Sequence, residues 1–322
     1  MVRQAKKKKS KFWIIVLMIV VIVLVYKLII ALNGKSLFGK IGGDKAGPVP
    51  SLTAASDSDV SIPIDNLHSP NAILVRLDDH TILMHKKSEQ KIYPASLTKI
   101  MTTIVAIESL PDLQKKIELP NSMFQGLYKA DASMAGFQPN EKVKAIDLLY
   151  GVMLPSGAEC CIGLADHIAG SEQDFVVKMN QKAEELGMSN THFTNSTGLQ
   201  DNNHYTTVKD LSILLSYALQ NNTFRDVFTA AHYSTASTNK HPNGITFNST
   251  MFKNIENPVI NGGKILGGKT GYTDEAGLCL ASLAQKEGKE YVLVTAGARG
   301  NHQSEQYNID DAYEVYNKLG KN

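Results

Sequence analysis

The chain has 322 residues, of which 43% are apolar, so it holds enough core-forming side chains for one large domain or two small ones. Its formal net charge of +2 is unevenly distributed, because seven of the 33 basic residues lie within the first 32 positions, which contain no acidic residue. The rest of the chain carries 26 basic and 31 acidic side chains. This mildly acidic balance argues against nucleic acid as a partner.

The first structural signal is an apolar span over residues 12–32, which only Lys27 interrupts. Its length matches the roughly 20 residues that an α-helix needs to cross a bilayer, so we predict a transmembrane anchor. The basic tail of residues 1–11 predicts a cytoplasmic N-terminus, with the rest of the chain outside. A cleaved signal peptide has a similar basic start, but its apolar region is usually shorter and ends at small residues, whereas Asn33-Gly34-Lys35 follows here.

The pattern of apolar residues changes twice after the anchor. Residues 33–61 are rich in Gly, Ser, Asp, Ala and Pro and predict a flexible spacer. Strand patterns then give way to helical spacing, and strand patterns return before a final helix. The predicted elements are a hairpin over 72–77 and 81–85, helices between 96 and 219, strands over 265–270, 278–284 and 291–298, and a helix over 303–319. This order predicts an α+β fold, in which one antiparallel sheet is flanked by helices.

The three cysteines are Cys160, Cys161 and Cys279. An odd count with two adjacent residues is not the pattern of a disulfide framework. It favours small buried apolar residues, although a bridge from Cys279 to one of the adjacent pair stays open at this point.

One short polar pattern is the strongest candidate for chemistry. Tyr93-Pro94 is a turn signal, and the apolar residues that follow recur at helical spacing. Ser96 therefore falls at the start of a predicted helix, and Lys99 follows three positions later on the same face. A hydroxyl with an amine in reach is a nucleophile with a base. The same Ser-x-x-Lys spacing recurs at residues 88–91 and 237–240, but neither repeat opens a predicted helix.

Two later segments carry further polar residues of the kind that acyl transfer needs. Lys269-Thr270-Gly271 falls on a predicted strand, where Gly271 would leave the surface open for a peptide substrate that adds as an extra strand. Residues 154–157 contain Ser156 and open the helix that begins near Glu159. Each segment alone is equally typical of an ordinary strand end or turn, so the order and spacing of the three carry the interpretation.

This order, a helix-borne Ser-x-x-Lys, a Ser-Gly-x loop about 60 residues later and a Lys-Thr-Gly strand, resembles the signature set of the penicillin-recognising serine enzymes. More closely, the chain resembles the serine D-alanyl-D-alanine carboxypeptidases, the low-molecular-mass penicillin-binding proteins of peptidase family S11 in the β-lactamase-like superfamily. The resemblance covers residues 62–319, which we predict to be the catalytic domain. It is carried by residues 94–102, 153–157, 191–199 and 268–273.

The resemblance implies a reaction and a location. The enzyme would remove the terminal D-alanine from peptidoglycan stem pentapeptides through an acyl-enzyme, without a cofactor. It would be inhibited by β-lactams and held on the outer face of a bacterial cell membrane by the single predicted helix. A location outside that membrane fits the substrate, since cell-wall peptides are found there.

The resemblance also assigns roles to residues. Ser96 would be the nucleophile, Lys99 its base, kept neutral by burial and by the cation of Lys269, and Ser156 a relay to the leaving amine. The substrate-binding residues would be Lys269, Thr270, Gly271, Tyr272 and Arg299. The backbone N–H groups of Ser96 and Tyr272 would hold the oxyanion. Thr270 and Arg299 would hold the terminal carboxylate.

One position departs from the family pattern. The middle motif normally ends in Asn, whose amide helps to hold the substrate and the catalytic lysine, but position 158 is Ala. Ala158 therefore keeps open a weakly active protein that mainly binds penicillin and cell-wall peptide. A transpeptidase or a β-lactamase of the same fold also stays open, the latter because Glu159 follows.

Two rival interpretations of the sequence have specific motifs. Residues 263–270 match the phosphate-binding pattern G-x-x-x-x-G-K-[ST], but a turn and a strand follow them instead of the required helix, so we predict no nucleotide. The nine histidines include no H-E-x-x-H or H-x-H arrangement, so we predict no metal site.

Overall fold

The computed structural model describes residues 47–54 and 66–320 of the chain. The predicted tail and transmembrane anchor, residues 1–32, lie outside the described residues, as does most of the predicted spacer. Their assignment therefore stays a prediction. Within the described ranges, no helix combines the length and apolar character that a membrane-spanning segment requires.

The described region contains eleven strands, seven of which form a mixed sheet at its centre. The strands, in chain order, are β1 (Thr53–Ala54), β2 (Asn71–Arg76), β3 (Thr81–Lys86), β4 (Lys116–Leu119), β5 (Glu141–Lys144), β6 (His232–Ser234), β7 (Thr246–Asn248), β8 (Val259–Ile260), β9 (Gly263–Gly271), β10 (Leu278–Lys286) and β11 (Lys289–Ala298). The large sheet has the order β1-β3-β2-β11-β10-β9-β8, and β4-β5 and β6-β7 form separate pairs. All neighbours in the large sheet are antiparallel except β1 and β3, which run parallel.

The hairpin between β10 and β11 illustrates how local sequence fixes this topology. Glu287 and Gly288 both have positive φ angles, 51° and 77°, and Lys286 pairs with Lys289 across them. Two consecutive residues with positive φ form the turn whose twist matches that of the flanking strands. The meander of β9, β10 and β11 predicted from the sequence is thereby confirmed.

The sheet is buried on both faces, as the alternation along its central strands shows. In β2 and β11, successive residues belong to two different apolar clusters because successive side chains point to opposite faces. One cluster contains Ile73, Val75, Val292 and Val294, and the other contains Ala72, Leu74 and Leu293. The expected sheet with helices on its faces is therefore present.

The helices divide between these two faces. They are α1 (Thr98–Ser109), α2 (Asn121–Lys129), α3 (Ala145–Met153), α4 (Ala158–Ala169), α5 (Glu172–Glu185), α6 (Val208–Ala218), α7 (Asn222–Thr229) and α8 (Tyr307–Lys318). The final helix, α8, contributes to the second cluster with Ile309, Val315 and Tyr316. The α1 helix is buried from Thr98 to Ile107, and its apolar side chains belong to the first cluster. Among its buried polar residues, Lys99 and Thr102 are hydrogen-bonded to backbone carbonyl oxygens.

The structure departs from the sequence predictions in several places. The stretch predicted to be helical contains the short strands β4 and β5, and the large sheet is not wholly antiparallel. Residues 263–270 lie on β9, so the phosphate-loop pattern forms a strand, in line with its rejection. All three cysteines are buried free thiols, so the bridge left open for Cys279 is absent from the described residues.

Candidate active site

Ser96 lies in a tight 3-10 turn, Ala95–Leu97, that leads directly into α1. Ala95 has a φ of +46°, in the left-handed region that residues other than glycine seldom occupy. Its carbonyl oxygen accepts a hydrogen bond from Thr98 Oγ1 (2.8 Å), and Thr98 Oγ1 lies 2.8 Å from His204 Nε2. Since His204 Nδ1 accepts the Thr194 N–H, Nε2 carries the proton and donates to Thr98. These bonds support the strained turn that presents Ser96.

Four polar side chains from three segments form one continuous chain of hydrogen bonds. Lys99 Nζ lies 3.1 Å from Ser96 Oγ, on the helical face that the sequence spacing predicted. Ser156 Oγ donates to Ser96 Oγ at 2.9 Å, and Lys269 Nζ donates to Ser156 Oγ at 3.0 Å. The structure thus brings together the predicted nucleophile, the predicted base and the two residues predicted to assist them.

Both lysines of this chain are buried. Lys99 is 3% exposed and Lys269 is fully buried, and burial is the main cause that lowers the pKa of each amine. The charge of Lys99 lowers the pKa of Lys269 further, well below its ordinary value. Since two ammonium groups this close repel each other, the pair favours a single positive charge.

Both amines also have backbone partners. Lys99 Nζ donates a short hydrogen bond to the carbonyl oxygen of Thr197, and Lys269 Nζ donates to the carbonyl oxygen of Thr270 at 2.8 Å. The loop that carries Thr197 is held by Asn195 Oδ1, which accepts the backbone N–H groups of Thr197 and Gly198. Sequence analysis quoted this loop for its resemblance alone, and the structure shows that it orients the base.

Ser156 occupies a second strained position, with a φ of +69°. The loop around it is held on both sides: the Gly157 N–H donates to Gly151 at 2.8 Å, and the Thr250 N–H donates to the carbonyl oxygen of Leu154 at 3.0 Å. The α4 helix begins at once, at Ala158. The strain, which costs of order 1–3 kcal/mol, is therefore stabilised by the surrounding backbone.

Glu159 organises a loop that the sequence did not indicate. Its Oε1 accepts backbone N–H groups from Ala135 (2.7 Å), Gly136 (2.9 Å) and Phe137 (3.3 Å), and burial raises its pKa. The carbonyl oxygen of Ser133, at the start of this loop, accepts the Ala158 N–H at 2.8 Å. Glu159 therefore serves as a buried acceptor that positions a loop wall.

Gly271 lies directly against the turn that carries Ser96. A Cβ atom at Gly271 would lie 3.1 Å from the Ser96 amide nitrogen, 3.2 Å from the Pro94 carbonyl oxygen and 3.3 Å from the Ala95 Cβ. The sequence analysis expected Gly271 to make room for a substrate strand. The structure adds a second reason for a glycine here, because the turn that carries Ser96 lies where a side chain would be. The role toward a substrate strand stays a prediction.

Tyr272 and Thr270, on either side of Gly271, are exposed to the site. The Tyr272 hydroxyl donates to Asp274 Oδ1 at 2.6 Å, and its ring packs edge to face with His302 at 4.9 Å. Thr270 Oγ1 lies 2.7 Å from Thr250 Oγ1. Tyr272 follows Gly271, which packs against the Ser96 amide. The two residues whose backbone N–H groups are the predicted oxyanion donors, Ser96 and Tyr272, are therefore close together.

Arg299, the last predicted site residue, is not brought into this arrangement. It follows β11, is exposed, and is not among the residues that line the two clefts beside Ser96. The expected contact with a substrate carboxylate therefore has no support in the structure.

Two clefts meet at Ser96. The smaller cleft, of about 260 Å³, is lined by Thr250, Lys253, Asn254, Thr270, Leu278, Gln306 and Asn308 together with Ser156 and Gly271. The larger cleft, of about 510 Å³, is lined by Lys99, Asp131, Ala158, Thr197, Gln200, Asp274 and Glu275 together with neighbouring loop residues. Ser96, Ser133, Tyr272 and His302 line both. A peptide that runs through both clefts would pass directly over the Ser96 hydroxyl.

Three residues to which the sequence patterns assign no role contribute to this site. Thr197 and His204 act through backbone or buried contacts with the α1 segment, and Ser133 lines both clefts. None of them belongs to a spacing pattern with Ser96. Among the described residues, no three His, Cys, Asp or Glu side chains are grouped so that they could hold a metal ion.

The comparison with known families agrees with this geometry. The sequence model of the D-alanyl-D-alanine carboxypeptidase family, peptidase S11, matches residues 56–300, well over half of the chain. The chain therefore belongs to this family of serine peptidases, and the family predicted from the motifs is confirmed.

The chain is also similar in sequence to particular members of that family. The chain is 33% identical over 232 residues to the D-alanyl-D-alanine carboxypeptidase DacF of Bacillus subtilis, covering 71% of this chain but 57% of that protein. It is 31% identical over 219 residues to the D-alanyl-D-alanine carboxypeptidase of Streptomyces sp. (strain K15), covering 66% of this chain and 75% of that protein. The chain thus spans a little over half the length of the Bacillus relative.

Solved structures agree with the fold. The crystal structure of the Streptomyces enzyme, described there as a DD-transpeptidase, matches with a TM-score of 0.70 at 28% identity, covering 80% of this chain and 98% of that chain. The D-alanyl-D-alanine carboxypeptidase of Mycobacterium tuberculosis matches with a TM-score of 0.69 at 25% identity, covering 80% and 92%. The α+β fold of the DD-peptidases is therefore confirmed for the described region.

Proposed function

We propose that the protein is a serine D,D-carboxypeptidase that removes the terminal D-alanine from peptidoglycan stem pentapeptides through an acyl-enzyme on Ser96. The observation that carries the proposal is the hydrogen-bond chain from Lys99 through Ser96 and Ser156 to Lys269, which joins the three motif segments. Family membership supports the class of reaction. The proposed reaction uses no cofactor.

In the acylation step, Ser96 Oγ attacks the carbonyl carbon of the penultimate D-alanine. The hydroxyl proton passes to Lys99 Nζ, 3.1 Å away. This transfer needs a neutral amine, and burial lowers the Lys99 pKa in the direction that favours one. The negative charge that develops on the carbonyl oxygen is held by the backbone N–H groups of Ser96 and Tyr272, an interaction worth about 3–4 kcal/mol per donor.

Departure of the leaving group completes acylation. The bond between the penultimate carbonyl carbon and the nitrogen of the terminal D-alanine breaks, and that nitrogen receives a proton through Ser156. Ser156 suits the relay because it donates to Ser96 and accepts from Lys269. The single positive charge that the two lysines share can therefore supply, through Lys269, the proton that Ser156 gives up. Water then attacks the ester carbonyl, releases the shortened peptide and restores the Ser96 hydroxyl.

A β-lactam ring presents an acylating carbonyl to the same hydroxyl, so we expect stable covalent labelling of Ser96 by penicillin. The purified full chain should release D-alanine from a pentapeptide that ends in D-Ala-D-Ala, and Ser96→Ala should abolish both reactions. Ser237→Ala, in the exposed Ser-x-x-Lys repeat, is the matched control and should keep both activities. Persistent labelling of Ser96→Ala by penicillin would contradict the assignment of the nucleophile.

A second candidate function rests on Ala158. This residue lines the larger cleft, where its methyl group offers no amide for substrate or Lys99. If that loss dominates, the protein acylates slowly and mainly binds penicillin and cell-wall peptide. The rate of D-alanine release by the parent and by Ala158→Asn separates the carboxypeptidase from the binding protein. Fast release by the parent excludes the binding role. Slow release by the parent with a large gain in Ala158→Asn supports the binding role.

Two other reactions would proceed through an acyl-enzyme on Ser96, namely transfer of the peptide to an amine and hydrolysis of a β-lactam. The Streptomyces relative is described both as a carboxypeptidase and as a transpeptidase, which favours an assay with an added amine acceptor. Glu159 offers little support for β-lactam hydrolysis, since one carboxylate oxygen already accepts three backbone N–H groups. Mass spectrometry of the products with and without an acceptor peptide would identify hydrolysis, transfer or opened β-lactam.

We also propose that residues 12–32 anchor the protein in a bacterial membrane, with the N-terminus in the cytoplasm and the enzyme outside. The apolar length of that span and the basic residues before it support this orientation. Protease added to intact spheroplasts should degrade the catalytic region and leave a short N-terminal tag protected. Full protection of the catalytic region would contradict the orientation.

A further inference from the structure

The two clefts that meet at Ser96 differ in charge. The larger cleft is lined by three carboxylates, those of Asp131, Asp274 and Glu275. No acidic residue lines the smaller cleft, whereas the cationic side chain of Lys253 does. His302 lines both clefts and so does not distinguish them. A carboxylate of the substrate is therefore repelled from the larger cleft and attracted to the smaller one.

The sizes of the clefts also favour the smaller one as the site of the terminal D-alanine and its carboxylate. The smaller cleft, at about 260 Å³, falls below the roughly 300–1,000 Å³ typical of sites for drug-sized ligands. It suits a single small amino acid such as the leaving D-alanine. The larger cleft, at about 510 Å³, has room for the peptide that stays attached to Ser96. The terminal carboxylate would thus enter the smaller cleft.

The segment that carries Lys253 is tied to both neighbouring motif segments. Thr250 Oγ1 contacts Thr270 Oγ1 at 2.7 Å, and the Thr250 N–H donates to Leu154 at 3.0 Å. Lys253 lies in the 3-10 turn Phe252–Asn254, and its N–H donates to the Ser249 carbonyl oxygen at 3.0 Å. Backbone bonds therefore fix this segment, and the exposed side chain of Lys253 lines the same cleft as Thr270. Within the described residues, the Lys253 amine forms no ion pair.

We propose that Lys253 supplies the cation that binds the terminal carboxylate of the substrate in the smaller cleft, beside the Thr270 hydroxyl to which the family resemblance already assigns this carboxylate. The inference rests on the proposed carboxypeptidase function and replaces the role that the sequence resemblance gave to Arg299. Arg299 lines neither cleft, whereas Lys253 lines the one that contains Thr270. Lys253 is thus a residue that determines specificity for a free C-terminus.

The test compares two substrates that differ only in the carboxylate. The purified full chain, Lys253→Met, Lys253→Arg and Arg299→Met are assayed on a pentapeptide that ends in D-Ala-D-Ala and on the same peptide as its C-terminal amide. We expect Lys253→Met to lower kcat/KM for the acid about tenfold and to change kcat/KM for the amide less than twofold. Lys253→Arg should retain most of the preference for the acid, and Arg299→Met should match the parent on both.

Equal losses on acid and amide in Lys253→Met would overturn the proposal, because they would indicate a structural role. A selective loss on the acid in Arg299→Met would overturn it in favour of Arg299. A second readout is the affinity for substrate, which does not require turnover. An N-acetylated peptide that ends in D-Ala-D-Ala should bind Ser96→Ala about tenfold more tightly than the double variant Ser96→Ala with Lys253→Met. If the two variants bind the peptide equally while the parent still releases D-alanine, the role of Lys253 is contradicted and the proposed function is not. If the parent neither releases D-alanine nor is labelled at Ser96, the proposed function itself is contradicted.

Discussion

Ser156 donates a hydrogen bond to Ser96, with 2.9 Å between the two Oγ atoms, from a backbone conformation that serine seldom adopts. The same hydroxyl accepts the bond from Lys269, so its proton is directed at Ser96. A neutral Lys99 can then accept the Ser96 proton on the other side. The strain at Ser156 is the conformational cost of placing one hydroxyl between the two other motif segments.

The first prediction concerns this hydroxyl. Ser156→Ala should lower the rate of Ser96 acylation by penicillin about 100-fold or more, because it removes a proton relay and leaves Lys269 without a side-chain partner. Since the φ of +69° suits glycine, Ser156→Gly should be more stable than Ser156→Ala by about 1 kcal/mol while it is equally slow. Stopped-flow labelling and urea unfolding measure the two effects. Equal acylation by parent and Ser156→Ala would show that the bond to Ser96 has no catalytic part.

A second prediction concerns the stability cost of Lys269. Burial and the charge of Lys99 lower its pKa well below the ordinary 10.5, so the unfolded chain binds this proton more tightly than the folded one. The charge therefore destabilises the fold below the lowered pKa, and the penalty is relieved as the pH rises toward 10.5. Lys269→Met should lose D-alanine release and should also lose this rise in the free energy of unfolding.

Urea unfolding of the parent and of Lys269→Met between pH 7 and pH 10 provides the measurement. Each kcal/mol by which the free energy of unfolding rises over this range corresponds to about 2–4 °C in Tm for a domain of this size. Lys264→Met, at an exposed position on the same strand, is the matched control and should follow the parent at every pH. Parallel curves for the parent and Lys269→Met would show that the amine carries no folding penalty.

Long periodic segments of this fold could be predicted from sequence because their signals are local. The turn at Glu287 and Gly288 and the flanking alternation predict the β10–β11 hairpin without any distant information. Strands β4 and β5 were missed although residues 116–119 alternate, because four residues carry too little periodicity to outweigh the helical spacing on both sides. The parallel pairing of β1 with β3 was missed because β1 has two residues.

The contacts of the site also divide into those that local spacing predicts and those between distant positions that it does not. Ser96 and Lys99 share a helical face, so their contact follows from spacing of three residues. The contact between Lys99 and Thr197 spans 98 positions and that between Thr98 and His204 spans 106, and no periodicity reports such contacts. The sequence indicated a close approach at Gly271 but not that the turn at Ser96 is the neighbour, since a glycine on a strand shows that something approaches closely without showing what.

A third prediction follows from His204. Burial lowers its pKa to about 4, and its neutral Nδ1 accepts the Thr194 N–H while Nε2 donates to Thr98. Because the unfolded chain binds this proton near the ordinary 6.5, stability falls as the pH drops from 6.5 toward about 4. The loss amounts to about 3 kcal/mol at most, since one pKa unit corresponds to about 1.4 kcal/mol.

His204→Gln removes the titrating group but keeps a polar side chain at the position. The variant should be less stable than the parent at pH 7, where the native bonds to Thr98 and Thr194 are intact, and this difference should shrink by pH 4. His232→Gln, at an exposed position, should retain the parent's dependence on pH. An unchanged difference between parent and His204→Gln from pH 7 to pH 4 would assign the acid sensitivity to another group.

The last prediction tests what Gly271 does. In Gly271→Ala, the new Cβ would lie 3.1–3.3 Å from three atoms of the turn that carries Ser96, tighter than ordinary contact. The turn must shift by a few tenths of an ångström, which displaces the Ser96 amide from its position as an oxyanion donor. We expect acylation by penicillin to fall at least tenfold, with a loss of stability of about 1–2 kcal/mol.

The outcome distinguishes two roles for the glycine. If Gly271 positions Ser96, a small β-lactam and the pentapeptide lose rate together, since both need the same hydroxyl and amide. If the glycine only made room for a substrate strand, KM for the pentapeptide would rise while acylation by the small β-lactam stayed at the parent rate. Gly126→Ala, where nothing lies within 4 Å of the new Cβ in α2, controls for the added methyl group and should raise stability by about 0.5–1 kcal/mol. Because Gly271 packs directly against the turn that carries Ser96, a joint loss would assign the glycine to the architecture of the nucleophile.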